Sequence, residues 1–227
     1  MTFTRYALYY APPAGAEWTA FAIRWLGWDM ETGAETPHPV VPDVDVRSVT
    51  DTPRKYGLHG TMKPPFRLAE GQSFEALQAA CAQFAARQKT VVLDGLEIAR
   101  LGRFLALRPL GDTQALNNLA AACVQDLDAF RAPAAEAELA RRRAAGLSPA
   151  QESNLLQWGY PYVLDQFRFH ITLTGRLDKS TLTGVETALG QQLVPLLPTP
   201  FTIQDLALMG EAEDGRFHLI QRYALSA

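Results

Sequence analysis

Cysteine is almost missing from this chain: Cys81 and Cys123 are the only two in 227 residues. Both fall on apolar stripes of predicted helices, so they read as reduced core residues and no disulfide framework is expected. No run of eighteen apolar residues occurs, and no ordinary membrane-spanning helix is expected. The first ten residues lack the basic, apolar and small-residue zones of a secretion signal. The Walker loop, the Gly-x-Gly-x-x-Gly turn, the His-Glu-x-x-His helix and zinc-spaced cysteine pairs are all absent, which removes the usual nucleotide-cradling and metal-binding signatures. Positive charge is not in excess either. The formal net charge is −3, whereas a protein that coats nucleic acid normally carries a basic footprint. The expectation is a soluble cytoplasmic protein with no cofactor, no metal, no membrane contact and no protein partner.

Histidine is scarce as well, with four residues, yet two of them recur in one arrangement. His59-Gly60-Thr61 lies within Gly57-Leu58-His59-Gly60-Thr61-Met62-Lys63. His170-Ile171-Thr172 lies within Phe167-Arg168-Phe169-His170-Ile171-Thr172-Leu173. Both read as β-strands, in which side chains two apart share a face. Each strand then presents an imidazole and a hydroxyl together.

The elements around the two motifs repeat in the same order. A strand is predicted over 5–11 and a helix carrying Trp18, Phe21 and Trp25. A long connection rich in proline and acids follows over 29–53. After His59 come a helix capped by Ser73, a strand, a turn at Gly102-Arg103-Phe104 and a return strand. After His170 come a helix opened at Asp178 or Ser180, a strand, a turn at Gly215-Arg216-Phe217 and a return strand. Order, spacing and turn agree, which indicates an internal duplication. The predicted fold is α+β: two antiparallel-sheet lobes with flanking helices, facing each other across a central cleft about a pseudo-two-fold axis. Lobe one is expected over about 1–111, a helical insert over about 112–158, packed outside or between the lobes, and lobe two over about 159–227.

Two imidazoles across a cleft suit phosphoester cleavage. One removes the proton from the attacking oxygen and the other protonates the leaving oxygen, because histidine titrates near working pH. Thr61 and Thr172 can donate to the non-bridging oxygens, where charge builds up. Residues 52–69 hold Arg54, Lys55, Lys63 and Arg67 and no acid, a local field that favours an anion. On an unbroken strand Lys63 continues the face of Thr61, and Arg168 shares the face of His170, so both are expected to reach a phosphate. Tyr6, Tyr56, Trp158 and Tyr160 are candidates to line the cleft. Trp158-Gly159-Tyr160-Pro161-Tyr162 fits a core segment and a stacking wall equally well. Arg141-Arg142-Arg143 reads as a solvated helix face, His38 as a solvated loop residue, and His218 as a local or surface residue.

The two His-x-Thr strands, the duplication and the spacing resemble the 2H (two-histidine) phosphoesterase superfamily, which includes LigT-like RNA cyclic phosphodiesterases. His170-Ile171-Thr172-Leu173 fits that motif fully. His59-Gly60-Thr61-Met62 departs from it at Gly60, where a bulkier residue is usual. Tyr56–Phe66, Trp158–Tyr162 and Phe169–Gly175 are similar to the subfamily of phosphonate-metabolism, or phosphonate-operon, proteins, whose own reaction is undefined. The resemblance implies catalytic roles for His59, Thr61, His170 and Thr172 and a metal-independent cyclic phosphodiesterase. It also implies a small phosphorylated nucleotide or ribose substrate linked to phosphonate metabolism. The alternatives are a non-catalytic protein binding a phosphometabolite or an RNA end, and an enzyme processing RNA 2′,3′-cyclic phosphates.

Overall fold

Strand alternation sorts this chain onto the two faces of one sheet. The computed structural model describes residues 2–227. Seven strands form the main sheet: β1 (Arg5–Tyr10), β2 (Gly60–Phe66), β3 (Gly95–Leu101), β4 (Phe104–Leu110), β5 (Ile171–Thr172), β6 (Asp205–Glu211) and β7 (Phe217–Ala224). Their order is β7-β6-β1-β2-β5-β4-β3, and every neighbouring pair is antiparallel. Leu8, Tyr10, Leu105, Leu107, Ile171, Leu206 and Leu208 point to one face and are buried there. Their alternate neighbours Ala7, Tyr9, Ala106, Ala207 and Met209 point to the other, where they too are buried.

The helices cover the leucine-rich face. They are α1 (Glu17–Leu26), α2 (Phe74–Arg87), α3 (Gln114–Asp126) and α6 (Lys179–Gln192). Each carries a helix-spaced apolar stripe that enters the main core, such as Leu77, Cys81 and Phe84 on α2 or Leu182, Val185 and Leu189 on α6. Ser73 and Asp178 cap α2 and α6, accepting from backbone N–H groups of the first turn. Cys81 and Cys123 are buried free thiols in this core. Two more helices, α4 (Glu136–Arg143) and α5 (Pro149–Trp158), belong to the middle segment. Ser148 and Gln151 form a capping box at the start of α5, and Gly159 ends it in the left-handed conformation. Among the described residues no helix is long and apolar enough to cross a membrane.

Equivalent parts of the duplication pair with each other. Gly60 opposes Ile171, the residues that follow His59 and His170. Val91–Leu93 pairs with Phe201–Ile203, the corresponding short strands. Antiparallel pairing of like with like is what a two-fold axis through the sheet produces. The lobes are not consecutive stretches of chain, however, and the boundaries expected from the sequence need correcting. The hairpin β3–β4 of the first repeat joins the His170 strand. The hairpin β6–β7 of the second lies on the His59 side, beyond β1. Helix α2 covers β6–β7, and α6 covers β3–β4, so each repeat sends its helix and hairpin to the other. The middle segment is corrected in the same way. Its helix α3 buries Leu116, Leu119 and Cys123 against the sheet at β2, so it is core rather than insert. Apolar spacing made it a helix, but only the tertiary fold says which sheet it covers.

The two repeats come into close contact at Gly60. A Cβ at this position would stand 2.3 Å from the ring of Phe169, which is itself buried. The missing side chain is therefore what lets that ring cross the strand. Gly60→Ala is expected to destabilise the protein by ~1–3 kcal/mol, the usual range for overpacking, as read by urea denaturation. A change below ~0.5 kcal/mol would show that the ring moves aside freely.

Candidate active site

The backbone register builds the site. With Gly60 opposite Ile171, continuing the antiparallel pairing by one residue either way sets His59 against Thr172 and Thr61 against His170. That continuation assigns the four side chains to the corners of a square on the face away from the helices. Diagonal neighbours across an antiparallel pair lie about 7–8 Å apart, which puts the two imidazoles on opposite sides of a group the size of a phosphate. The two rings also interact electrostatically, since charge on His170 disfavours charge on His59.

Both rings are held in the same way. His59 Nδ1 lies 3.0 Å from the Gly57 carbonyl oxygen, and His170 Nδ1 lies 2.8 Å from that of Arg168. A carbonyl can only accept, so Nδ1 carries the hydrogen, and in the neutral ring Nε2 keeps its lone pair. Gly57 has φ +69°, a left-handed conformation that glycine adopts without strain. The hydroxyls of Thr61 and Thr172 have no protein hydrogen-bond partner among the described residues. Thr174 differs, with its hydroxyl bonded to Leu105 N and Gly175 O.

The two histidines sit in unlike surroundings. Thr61 has Tyr9 of β1 as its lateral neighbour, whereas Thr172 has Ala106. The Tyr9 ring stacks on His59 at 4.0 Å between centroids, and the Tyr56 ring lies 6.0 Å away. Behind them Ala7, Trp28, Met30, Met209 and Phe217 form a second, smaller apolar cluster. Burial pushes His59 down to about 4. The Gly57 carbonyl opposes this shift, and the charge of His170 adds to it. His170 has Phe104 beside it at 5.9 Å and opens onto a cavity of about 260 Å³ lined by Thr61, Leu101, Tyr160, Tyr162, Gln166 and Arg168 among others. His59 and Thr172 do not line this cavity, so it reaches the square from the His170–Thr61 side.

The other candidate residues divide. Arg168 is exposed at the rim of the cavity, with Nη1 donating to the Asp165 carbonyl at 3.0 Å. Tyr160 and Tyr162 line the cavity, their rings edge to face at 5.7 Å. Tyr56 stands beside His59. Trp158 is half-buried and does not line the cavity. Three residues are placed elsewhere. Tyr6 lies on the helix face of the sheet, stacked on Phe74 of α2 at 5.4 Å. Arg54 serves as a tie between helix ends: Nε donates to Leu26 O at 3.1 Å and Nη2 bonds Arg47 O and Thr50 Oγ1. Lys63 is 2% exposed on the helix face, where Nζ donates to Val124 O at 2.9 Å and pairs with Asp128 at 3.6 Å. A β-bulge sends it there. Tyr9 opposes Thr61 but Leu8 opposes Lys63, so one extra residue separates Thr61 from Lys63 and the side-chain parity reverses.

His38 is likewise not a free loop residue: it packs over Gly27 and bonds the Trp25 carbonyl at 3.0 Å. Tyr9, Phe104 and Gln166 belong to the site and had no signal of their own. Their place depends on which strands are neighbours.

Residues 61–218 match the family described as protein of unknown function, DUF1045. The chain belongs to that family. Among curated proteins, it is 37% identical over 219 residues to a protein of Janthinobacterium sp. (strain Marseille) named ribose 1,5-bisphosphate phosphokinase PhnN. That match covers 93% of this chain and 48% of the relative. A protein of the same name from Laribacter hongkongensis (strain HLHK9) is 33% identical over 211 residues, covering 93% and 49%. The chain thus spans about half the length of the curated relatives it matches. Solved structures of low similarity include E. coli LigT complexed with 3′-AMP, at TM-score 0.48 and 18% identity over 100% of both chains. Another is a phosphoesterase at TM-score 0.47 and 16% identity over 99% of both.

Lys63 gives a test of the corrected assignment. Burial holds its ammonium down at about 8, against the pull of Asp128. Between pH 8 and 10.5 the unfolded chain keeps a proton that the folded chain releases, so this group favours folding more as pH rises. Below pH 8 the burden of the buried charge is fully present. The stability of wild type relative to Lys63→Met is expected to rise across that window by on the order of 3 kcal/mol. Parallel pH–stability curves for the two proteins would count against a buried Lys63.

Proposed function

We propose that this protein is a phosphoesterase of the two-histidine type, which hydrolyses a cyclic phosphate or phosphodiester by general acid–base catalysis. The reading is carried by one observation. Two imidazoles, each with Nδ1 spent on the carbonyl two residues back, sit on the diagonal of a square whose other corners are unbonded threonine hydroxyls. With the phosphate in the square, Nε2 of His59, kept neutral by burial, accepts a proton from the attacking water. His170, on the open side, donates one to the leaving oxygen. A bond from the water oxygen to phosphorus forms and the ester P–O bond breaks. Thr61 and Thr172 donate to the non-bridging oxygens as their charge grows.

A small substrate is favoured, a phosphorylated nucleotide or ribose derivative. The cavity beside His170 holds about 260 Å³, room for a sugar-sized group, and the net charge of −3 is not that of a protein that tracks a long polyanion. The names of the curated relatives, with ribose 1,5-bisphosphate as substrate, support a phosphorylated ribose and the link to phosphonate metabolism. Kinase chemistry is not carried over, because this sequence has no Walker loop and matches only about half of each relative.

A turnover screen against cyclic ribose phosphates, nucleoside 2′,3′-cyclic phosphates and short RNAs tests the reading. His59→Ala and His170→Ala are each expected to lower kcat/KM by ~10²-fold or more, and activity is expected to persist in EDTA. The acid limb of kcat/KM should fall near pH 4, where His59 gains its proton, rather than near 6.5. Saturable binding with no product from any ester, or full activity in either variant, would overturn the mechanism. RNA cleaved in preference to every small ester would overturn the substrate class.

A further inference from the structure

The two repeats supply their own control. His59 and His170 share a motif, a strand pairing and an Nδ1 contact to the carbonyl two residues back. Both rings are half-buried, so exposure by itself does not tell them apart. What packs on each ring does. Tyr9 stands opposite Thr61, and the matching place beside Thr172 is taken by Ala106. The Tyr9 side chain is buried, and its ring lies on His59 at 4.0 Å between centroids and 26° between planes. A stack of this kind covers a face of the imidazole and leaves its edge, where Nε2 sits, uncovered. Phe104, the aromatic neighbour of His170, stands 5.9 Å away at 51°, too far and too tilted to cover a face.

Tyr9 is itself held in place. Phe217 of β7 backs it at 5.7 Å, and Tyr56 stacks on Phe217 at 5.4 Å. Tyr9 and Phe217 belong to the smaller apolar cluster, with Tyr56 packed against it. With the Gly57 carbonyl on Nδ1, the stack fixes the plane of the His59 ring and hence the direction of Nε2. Two effects of the stack oppose each other. A phenol face attracts a cation, which favours a charged His59. The ring also takes the place of water that would solvate that charge. The titratable groups around His59 are Tyr9 on β1, Lys55 and Tyr56 just before it on the chain, and His170 across on β5. Arg5, farther along β1, is tied to Glu211 of β6. Burial is the leading influence on His59, and the charge of His170 acts in the same sense. Exclusion of water therefore outweighs attraction to the ring.

We infer that Tyr9 is the positioning residue that divides the two roles: by covering one face of His59 it fixes that imidazole as the proton acceptor and leaves donation to His170. The two roles rest on the phosphoesterase reading. The hold of Tyr9 on the His59 proton does not depend on turnover.

The test follows the His59 Cε1–H signal against pH by proton NMR in the full chain, the signal being assigned by its loss in His59→Ala. In wild type the midpoint is expected near pH 4. Tyr9→Ala copies the arrangement beside Thr172, and there the midpoint is expected to rise above about pH 5, toward the ordinary value near 6.5. Tyr9→Phe keeps the ring and is expected to titrate as wild type does. With the ester of the turnover screen that wild type cleaves fastest, the acid limb of kcat/KM moves up with that midpoint in Tyr9→Ala. Loss of packing alone would lower kcat/KM at every pH and leave the limb where it was, and that result would overturn the proposal. A wild-type midpoint already near 6.5 would overturn it too, as would a midpoint that stays or falls in Tyr9→Ala, or one that rises equally in Tyr9→Phe. A midpoint that rises as expected, with no ester of the screen turned over by wild type, keeps Tyr9 in control of the His59 proton and removes the phosphoesterase reading. Tyr9→Gln, which fills the space with a polar chain and is expected to give the same rise, replaces Tyr9→Ala should the latter lose its far-ultraviolet circular dichroism.

Discussion

The site depends on one backbone pairing, Gly60 against Ile171. It joins the two repeats into a single sheet and sets the spacing of both histidines. It also decides which threonine faces which imidazole. Moving either strand by one residue would turn its histidine and threonine to the helix face. The pairing is short, and its surroundings hold it: Phe169 fills the space above Gly60, and the second like-with-like pair, Val91–Leu93 with Phe201–Ile203, repeats the same relation elsewhere.

The symmetry is broken by β1, which has no counterpart in the second repeat. It inserts between the His59 strand and the exchanged hairpin β6–β7 and brings Tyr9 to a place that Ala106 fills on the other side. A phenol ring against a methyl group is enough to make two similar histidines unlike. One is walled in by aromatics and depressed in pKa, while the other opens to a cavity. Distinct environments for paired titratable groups are how acid and base roles come to be divided. Here the difference in environment traces to one extra strand rather than to the motifs themselves.

Local periodicity carried much of this structure in readable form. The amphipathic stripes of α2, α3 and α6, the Ser148–Gln151 capping box, the two Gly-Arg-Phe turns and the repeated His-x-Thr strands are all visible in the sequence. What was not visible depends on pairing between distant segments. Lys63 continues the face of Thr61 only if the strand is unbroken, and a bulge against β1 is a property of two strands at once. Arg54 looks like a phosphate ligand until the carbonyls of Leu26 and Arg47 are brought next to it. Tyr6 and Tyr9 differ by a single parity step, and nothing in their composition says which face holds the histidines. Arg142 looked like part of a solvated run because its inward partner, Tyr160, belongs to a different element.

The exchange of hairpins and helices between the repeats bears on how such a chain could arise. One repeat by itself would carry one histidine, one threonine and a hairpin with no strand of its own to join. Two separate copies trading hairpins would form a domain-swapped, two-fold dimer with a complete square at its axis. A tandem fusion of that dimer, with β1 added between the His59 strand and a hairpin that joins by its first strand rather than its second, gives the present order. It also frees the two halves to diverge, something identical subunits cannot do, and the unlike environments of His59 and His170 are the kind of difference that only a fused chain can encode.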